Sequence, residues 1–139
     1  MPKKASQGRK KPTRQEMRDL DLEISFLEGI IRRDPSYIEA LQLLGDDYTK
    51  RGRYVEGLKV DEKLTQLDPL NPLTFYNLAC SYSLTDKFEA AAEALEKALD
   101  LGYRDFRWLT RDPDLKKLRQ HEVFTRIREH VARLKGKSR

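Results

Sequence analysis

Few residues in this chain have the types and spacing that catalysis needs. Its one cysteine, Cys80, has no histidine or local basic group beside it in sequence, so a reactive thiolate is not expected. The histidines, His121 and His130, stand nine residues apart, on roughly opposite sides of a helix, and no Cys/His cluster accompanies them. Asp46-Asp47 and Asp61-Glu62 are adjacent in sequence. On a helix such neighbours diverge by about a quarter turn or more, which suits solvated faces better than a catalytic dyad. No glycine-rich phosphate loop, nucleophile elbow or metal-binding helix motif occurs. The sequence predicts no enzyme, no metal, no cofactor and no small-molecule substrate.

The strongest spacing is a period of 34 residues, which separates Pro35 from Pro69 and Gly45 from Ala79. The same step relates Leu44 to Leu78, Tyr48 to Tyr82, Leu41 to Phe75, Tyr54 to Phe88 and Leu67 to Leu101. A period in this range implies stacked supersecondary units. In the first unit, apolar residues at Ile38, Leu41, Leu44 and Tyr48 give a helical face. Gly52 stops that helix. A second helix carries Val55, Leu58, Leu64 and Leu67 and ends at Asp68-Pro69, because the residue before proline is pushed out of the helical region.

Leu41-x-x-Leu44-Gly45-x-x-Tyr48 with a terminal Pro69, repeated as Phe75-x-x-Leu78-Ala79-x-x-Tyr82 with Ala91, Leu95 and Ala98, resembles the tetratricopeptide repeat. Small residues at 45 and 79 allow two helices to approach closely, and the tyrosines fill the space one turn later. The pattern departs at Asp61, where a large apolar residue is usual, at Gly57, where alanine is usual, and at Tyr103, where a proline would end the second unit.

The predicted fold is all-α: a short right-handed solenoid of antiparallel helix pairs. Two full units, 38–69 and 72–103, come after an N-terminal half-unit helix within 14–35, whose apolar stripe is Leu20, Ile24, Leu27, Ile30 and Ile31. After Tyr103 the residue matches cease, and 105–134 is expected to form a cap. Its segment Asp112-Pro113-Asp114-Leu115-x-x-Leu118-Arg119, followed by a helix with Phe124, resembles the closing segment of many bacterial members of the family. Trp108 is expected to anchor this cap, and a helix is expected from about Glu122 to Leu134. The helical domain is thus 14–134, between a basic tail at 1–13, predicted to be disordered, and a basic end at 135–139.

The chain has 139 residues, 37% of them charged, with a net charge of +5 that hides a strong asymmetry. Residues 1–14 carry +6, residues 15–114 carry −8 and residues 115–139 carry +7. The basic ends offer phosphate contacts through Lys3, Lys4, Arg9, Lys10, Lys11 and Arg14, and so an RNA- or ribosome-associated role. No apolar run reaches membrane-spanning length, and a single cysteine is compatible with a reducing cytoplasm.

The resemblance implies a protein-interaction adaptor whose first helices line a concave groove for a peptide or protein partner. By that analogy the groove positions are Glu39, Gln42 and Asp46 in the first unit, and Leu73, Tyr76, Asn77, Cys80 and Leu84 in the second. The second set is largely apolar, so it either anchors a ligand side chain or packs against the chain's own C-terminal end. Glu39 and Asp46 would repel a carboxylate, which argues against capture of a partner's C-terminus.

Overall fold

The computed structural model describes residues 11–137. Lys3, Lys4, Arg9 and Lys10 of the predicted phosphate-binding set lie outside them, and Lys11 and Arg14 are exposed. The helices are α1 (Arg14–Arg33), α2 (Ile38–Arg51), α3 (Tyr54–Leu67), α4 (Pro72–Leu84), α5 (Phe88–Asp100), α6 (Phe106–Leu109), α7 (Lys116–Arg119) and α8 (Phe124–Lys137). A 3₁₀ turn, Pro113–Leu115, leads into α7. No strand occurs among the described residues.

Local chemistry sets the helix ends. Thr13 and Glu16 cap α1 reciprocally: the Glu16 amide donates to Thr13 Oγ1 at 3.1 Å, and the Thr13 amide donates to Glu16 Oε1 at 2.8 Å. Asn71 caps α4, whose first residue, Pro72, loses no helical hydrogen bond there. Gly52 ends α2 in the left-handed region, with φ of 83°. Asp86, 34 residues later, takes the same turn with φ of 62°, which aspartate tolerates better than most residues.

Each helix packs on the next from α1 to α5, giving a stack of antiparallel pairs. Two buried clusters hold it together. Ile24, Leu27, Ala40, Leu44 and Tyr48 join α1 to α2. A larger cluster runs from Leu58 on α3 through α4 and α5 to Phe124 and Ile127 on α8. Small residues bring the helices close. A β-carbon added at Gly45 would lie 3.2 Å from Val60 Cγ1 and 3.3 Å from Asp61 Oδ1, on the facing helix α3. A β-carbon at Gly57 would lie 3.3 Å from Thr49 Oγ1.

The 34-residue step extends into the polar contacts. Tyr48 donates its hydroxyl proton to Glu28 Oε2 at 2.5 Å, and Tyr82 donates to Glu62 Oε2 at 3.1 Å. Glu28 and Glu62 are again 34 apart. So α1 stands to α2 as α3 stands to α4, which makes α1 the second helix of a unit. Asp61, the unusual residue, accepts a hydrogen bond from Ser81 Oγ on α4 at 2.5 Å. Its burial is compensated, so the irregular sequence leaves the packing regular.

After Tyr103 the sequence match fades but the step survives in the elements. Helix α6 begins at Phe106, 34 residues after α4 begins at Pro72. The 3₁₀ turn and α7 pack on α4, and α8 packs on α5. The cap is therefore a third unit with an interrupted first helix. Pro113 lies at the interruption, and it lacks the amide proton that a continuous helix would need.

Candidate partner-binding face

Positions 34 apart on α2 and α4 meet different fates. On α2, Glu39 and Gln42 are exposed, as is Leu43 beside them, and Asp46 is half-buried. Lys50 lies one turn beyond Asp46 and pairs with it at 3.6 Å. These side chains form a polar, net acidic face that no other part of the described chain covers. On α4, the counterparts of Gln42 and Asp46 are Tyr76 and Cys80, and both are 0% exposed. Leu73, Asn77 and Leu84 are half-buried. Tyr76 and Cys80 therefore do not face a groove, contrary to the expectation for these two positions. The chain's own C-terminal segment fills that space.

That filling is specific. Tyr76 donates its hydroxyl proton to Asp112 Oδ2 at 2.7 Å, and the Cys80 thiol donates to the same oxygen at 3.7 Å. The other oxygen of Asp112 accepts the Asp114 amide at 2.9 Å and so caps the 3₁₀ turn. Arg119 Nη1 donates to the carbonyls of Leu109 and Asp112, at 3.1 and 2.8 Å, and ties the turn to α7. The Tyr103 ring stacks on Tyr76 with centroids 4.4 Å apart and planes at 15°. Burial holds the Tyr76 phenol far above its ordinary pKa, with Cys80 and Asp112 adding to the shift. Tyr76 remains a proton donor at any ordinary pH.

Cys80, Asp112 and Asp114 cluster within 4.8 Å and are all buried. The Asp112 carboxylate already serves the phenol, the thiol and the turn, so it acts as the latch of the cap. The sequence marks Asp112-Pro113-Asp114 as a closing motif but gives Asp112 no role on α4. The available signal is a pair of departures: Tyr76 stands where the first unit has Gln42, and Tyr103 stands where it has Pro69.

Asp47 and Asp61, expected on solvated faces, are buried instead, Asp47 where α2 meets α1. Asp47 is 3% exposed, and its Oδ2 has no hydrogen-bond partner. Burial pushes its carboxyl pKa up to about 7, helped by a side-chain hydrogen bond and charge repulsion from Glu23, while Lys50 opposes the shift. The two histidines are structural. His121 stacks on Phe88 at 4.8 Å, and His130 Nε2 lies 3.0 Å from Asp100. Trp108, the expected anchor, is half-buried and packs against the larger core.

Residues 74–101, which run from α4 through α5 to the residue beyond it, match the tetratricopeptide-repeat family model. The chain carries tetratricopeptide repeats. It is similar to a chloroplastic protein of Arabidopsis thaliana, at 37% identity over 83 residues, 58% of this chain and 25% of that protein. It is also similar to the peroxisomal targeting signal receptor of Komagataella phaffii, at 33% identity over 91 residues, 63% of this chain and 16% of the receptor. A TPR repeat-containing protein of Picosynechococcus sp. is 37% identical over 68 residues, 49% of this chain and 18% of that protein. The matched segment thus spans a quarter or less of each relative. Among the described residues no helix is long and apolar enough to cross a membrane.

Proposed function

We propose that the chain is a non-enzymatic adaptor that holds a basic segment of a partner protein on the open face of α2. The observation that carries this reading is the unequal fate of equivalent repeat positions. On α4 the first-helix face is filled by the chain's own cap, so the uncovered repeat face is that of α2. Glu39 and Asp46 outweigh Lys50 and leave that face net acidic, and Gln42 and Leu43 add a hydrogen-bonding and an apolar contact. Opposite charge on a partner would steer its approach and favour it over acidic competitors. The similarity to a relative named as a targeting-signal receptor supports recognition of a protein segment. A reducing compartment such as the cytoplasm suits the lone, buried Cys80.

Fluorescence anisotropy tests the reading with a labelled lysine-rich peptide carrying one leucine, and with its glutamate-rich twin. The intact chain should bind the lysine peptide and not the twin at this face. Charge reversal by Glu39→Lys with Asp46→Lys should weaken that binding by about tenfold or more, equivalent to ~1.4 kcal/mol. Undiminished binding to the double variant would overturn the proposal.

A further inference from the structure

The two sides of α8 treat their cations differently. Toward α5, Arg126 is ion-paired with Glu89 and, at 2.6 Å, with Glu96, and His130 meets Asp100 at 3.0 Å. On the other side, facing α6, lies a groove of about 470 Å³. Leu109, Phe124 and Ile127 close its floor, and the half-buried Phe106 and Val131 line it. Its charged residues are Arg107, Arg128 and Lys135, with no acid among those lining it. Arg128 lies over the Phe124 ring at 5.0 Å, and Lys135 over the Phe106 ring at 5.7 Å. None of the three has a carboxylate partner among the described residues.

Position in the stack says what shape fits. Helix α1 is covered by α2, and α3 by α4. Helix α8 is the corresponding second helix of the third unit, and among the described residues nothing covers it in the same way. The groove thus lies where the first helix of a following unit would pack. Apolar floor and helical geometry call for an amphipathic helix, and three uncompensated cations call for carboxylates on its flanks. The chain's own basic end segments have the wrong charge for the place.

We propose that the α6–α8 groove docks an acidic amphipathic helix of a partner protein. This surface is separate from the α2 face, so the molecule would join two partners of opposite charge.

The test uses the intact chain and a labelled synthetic helix with leucines at i, i+3, i+4 and i+7 and glutamates flanking them. A twin with lysines in place of the glutamates is the control. The acidic helix should bind and the lysine twin should not bind here. Affinity should fall as salt rises, because the rim charges are exposed. Arg128→Glu with Lys135→Glu should weaken binding by about tenfold or more. Arg107→Glu, which removes no cation–ring contact, should weaken it as well while leaving the thermal melt unchanged. Glu39→Lys with Asp46→Lys should leave this binding intact. Equal binding of both peptides, or indifference to all three rim cations, would overturn the proposal. So would displacement of the helix by single-stranded RNA with the same residue dependence, since that would mark a phosphate site. Self-association in sedimentation, abolished by the same substitutions, would assign the groove to a second copy and also overturn it.

Discussion

Helices α2 and α4 occupy equivalent places in successive repeats, yet one is a surface and the other is core. Gln42 meets solvent and Asp46 is half-buried beside it, whereas Tyr76 and Cys80 are fully buried and meet Asp112. The repeat motif is the same in both helices and does not decide the outcome. The decision lies at the variable positions and in the segment C-terminal to each unit. A tyrosine and a thiol on α4 present one buried aromatic and two donors, and the cap supplies the matching acceptor. Hence a repeat's binding face is defined by the chain that continues it as much as by the repeat itself.

The sharpest way to break the comparison is at Tyr76. If it is core, Tyr76→Ala removes a buried ring, its stack on Tyr103 and the hydroxyl that donates to the buried Asp112 carboxylate. Large aromatic truncations of this kind cost roughly 3–5 kcal/mol. Thermal melts should show that loss, and far-UV circular dichroism at 37 °C should show partial loss of helix. A variant as stable as the parent would mean that the cap does not lean on α4, and the second unit would regain its groove.

Next in size is Gly45, where α2 and α3 are closest. Gly45→Leu must displace Val60 and Asp61, which a single added carbon would already meet at 3.2 and 3.3 Å. Overpacking of this kind costs roughly 1–3 kcal/mol. The substitution also disturbs the Asp61–Ser81 hydrogen bond, so its effect should reach the α3–α4 joint. Amide exchange protection should fall in α4 as well as in α2 and α3. Loss confined to α2 would show that the two units are less coupled than the shared carboxylate implies.

The extent to which this was legible in sequence follows the same division. Period, small residues and prolines placed α1 to α5, because backbone geometry and close packing impose those residue types directly. Helix α1 was legible from its stripe of Leu20, Ile24, Leu27, Ile30 and Ile31, whereas its reciprocal Thr13–Glu16 cap emerges only in the structure. The covering of α4 was not readable, because whether Tyr76 is exposed depends on Asp112, 36 residues away. Nor did the charge total show that Arg126 is paired while Arg107 and Arg128 are not, since pairing depends on which side of α8 meets α5. Helical periodicity gives a face, and the neighbour gives the face its role.

A smaller effect, with a defined pH dependence, is expected at Asp47. Its pKa rises from an ordinary 3.8 to about 7 in the folded chain. The folded state therefore holds a proton that the unfolded state releases between these values, and stability falls as pH rises through the window. Below the ordinary value both states are protonated, and the group contributes no pH dependence. Above about 7 the folded state must carry a buried carboxylate close to Glu23. Asp47→Asn should flatten this slope and stabilise the chain at pH 8 by about 1 kcal/mol, the lower end for a buried unsatisfied group. Urea titrations at pH 5 and pH 8 measure the difference. A parent that grows more stable from pH 5 to pH 8 would contradict the buried carboxylate.

The smallest expected effect sharpens the comparison from the other side. Glu39→Lys with Asp46→Lys changes one exposed position and one half-buried position at the edge of the same face. Asp46 loses only its 3.6 Å pair with Lys50 on the same helix, and such pairs contribute about 0.3–0.5 kcal/mol. Two like charges one turn apart add a repulsion of similar size. The melting temperature should therefore move by only a few degrees, while binding of a basic peptide weakens by about tenfold or more. That combination separates a surface from a core, because a buried position could not accept lysine without a large stability loss. Were the double variant to melt as early as Tyr76→Ala, Asp46 would be buried like its counterpart Cys80. The α2 face would then be another covered surface, and the difference between the two units would disappear.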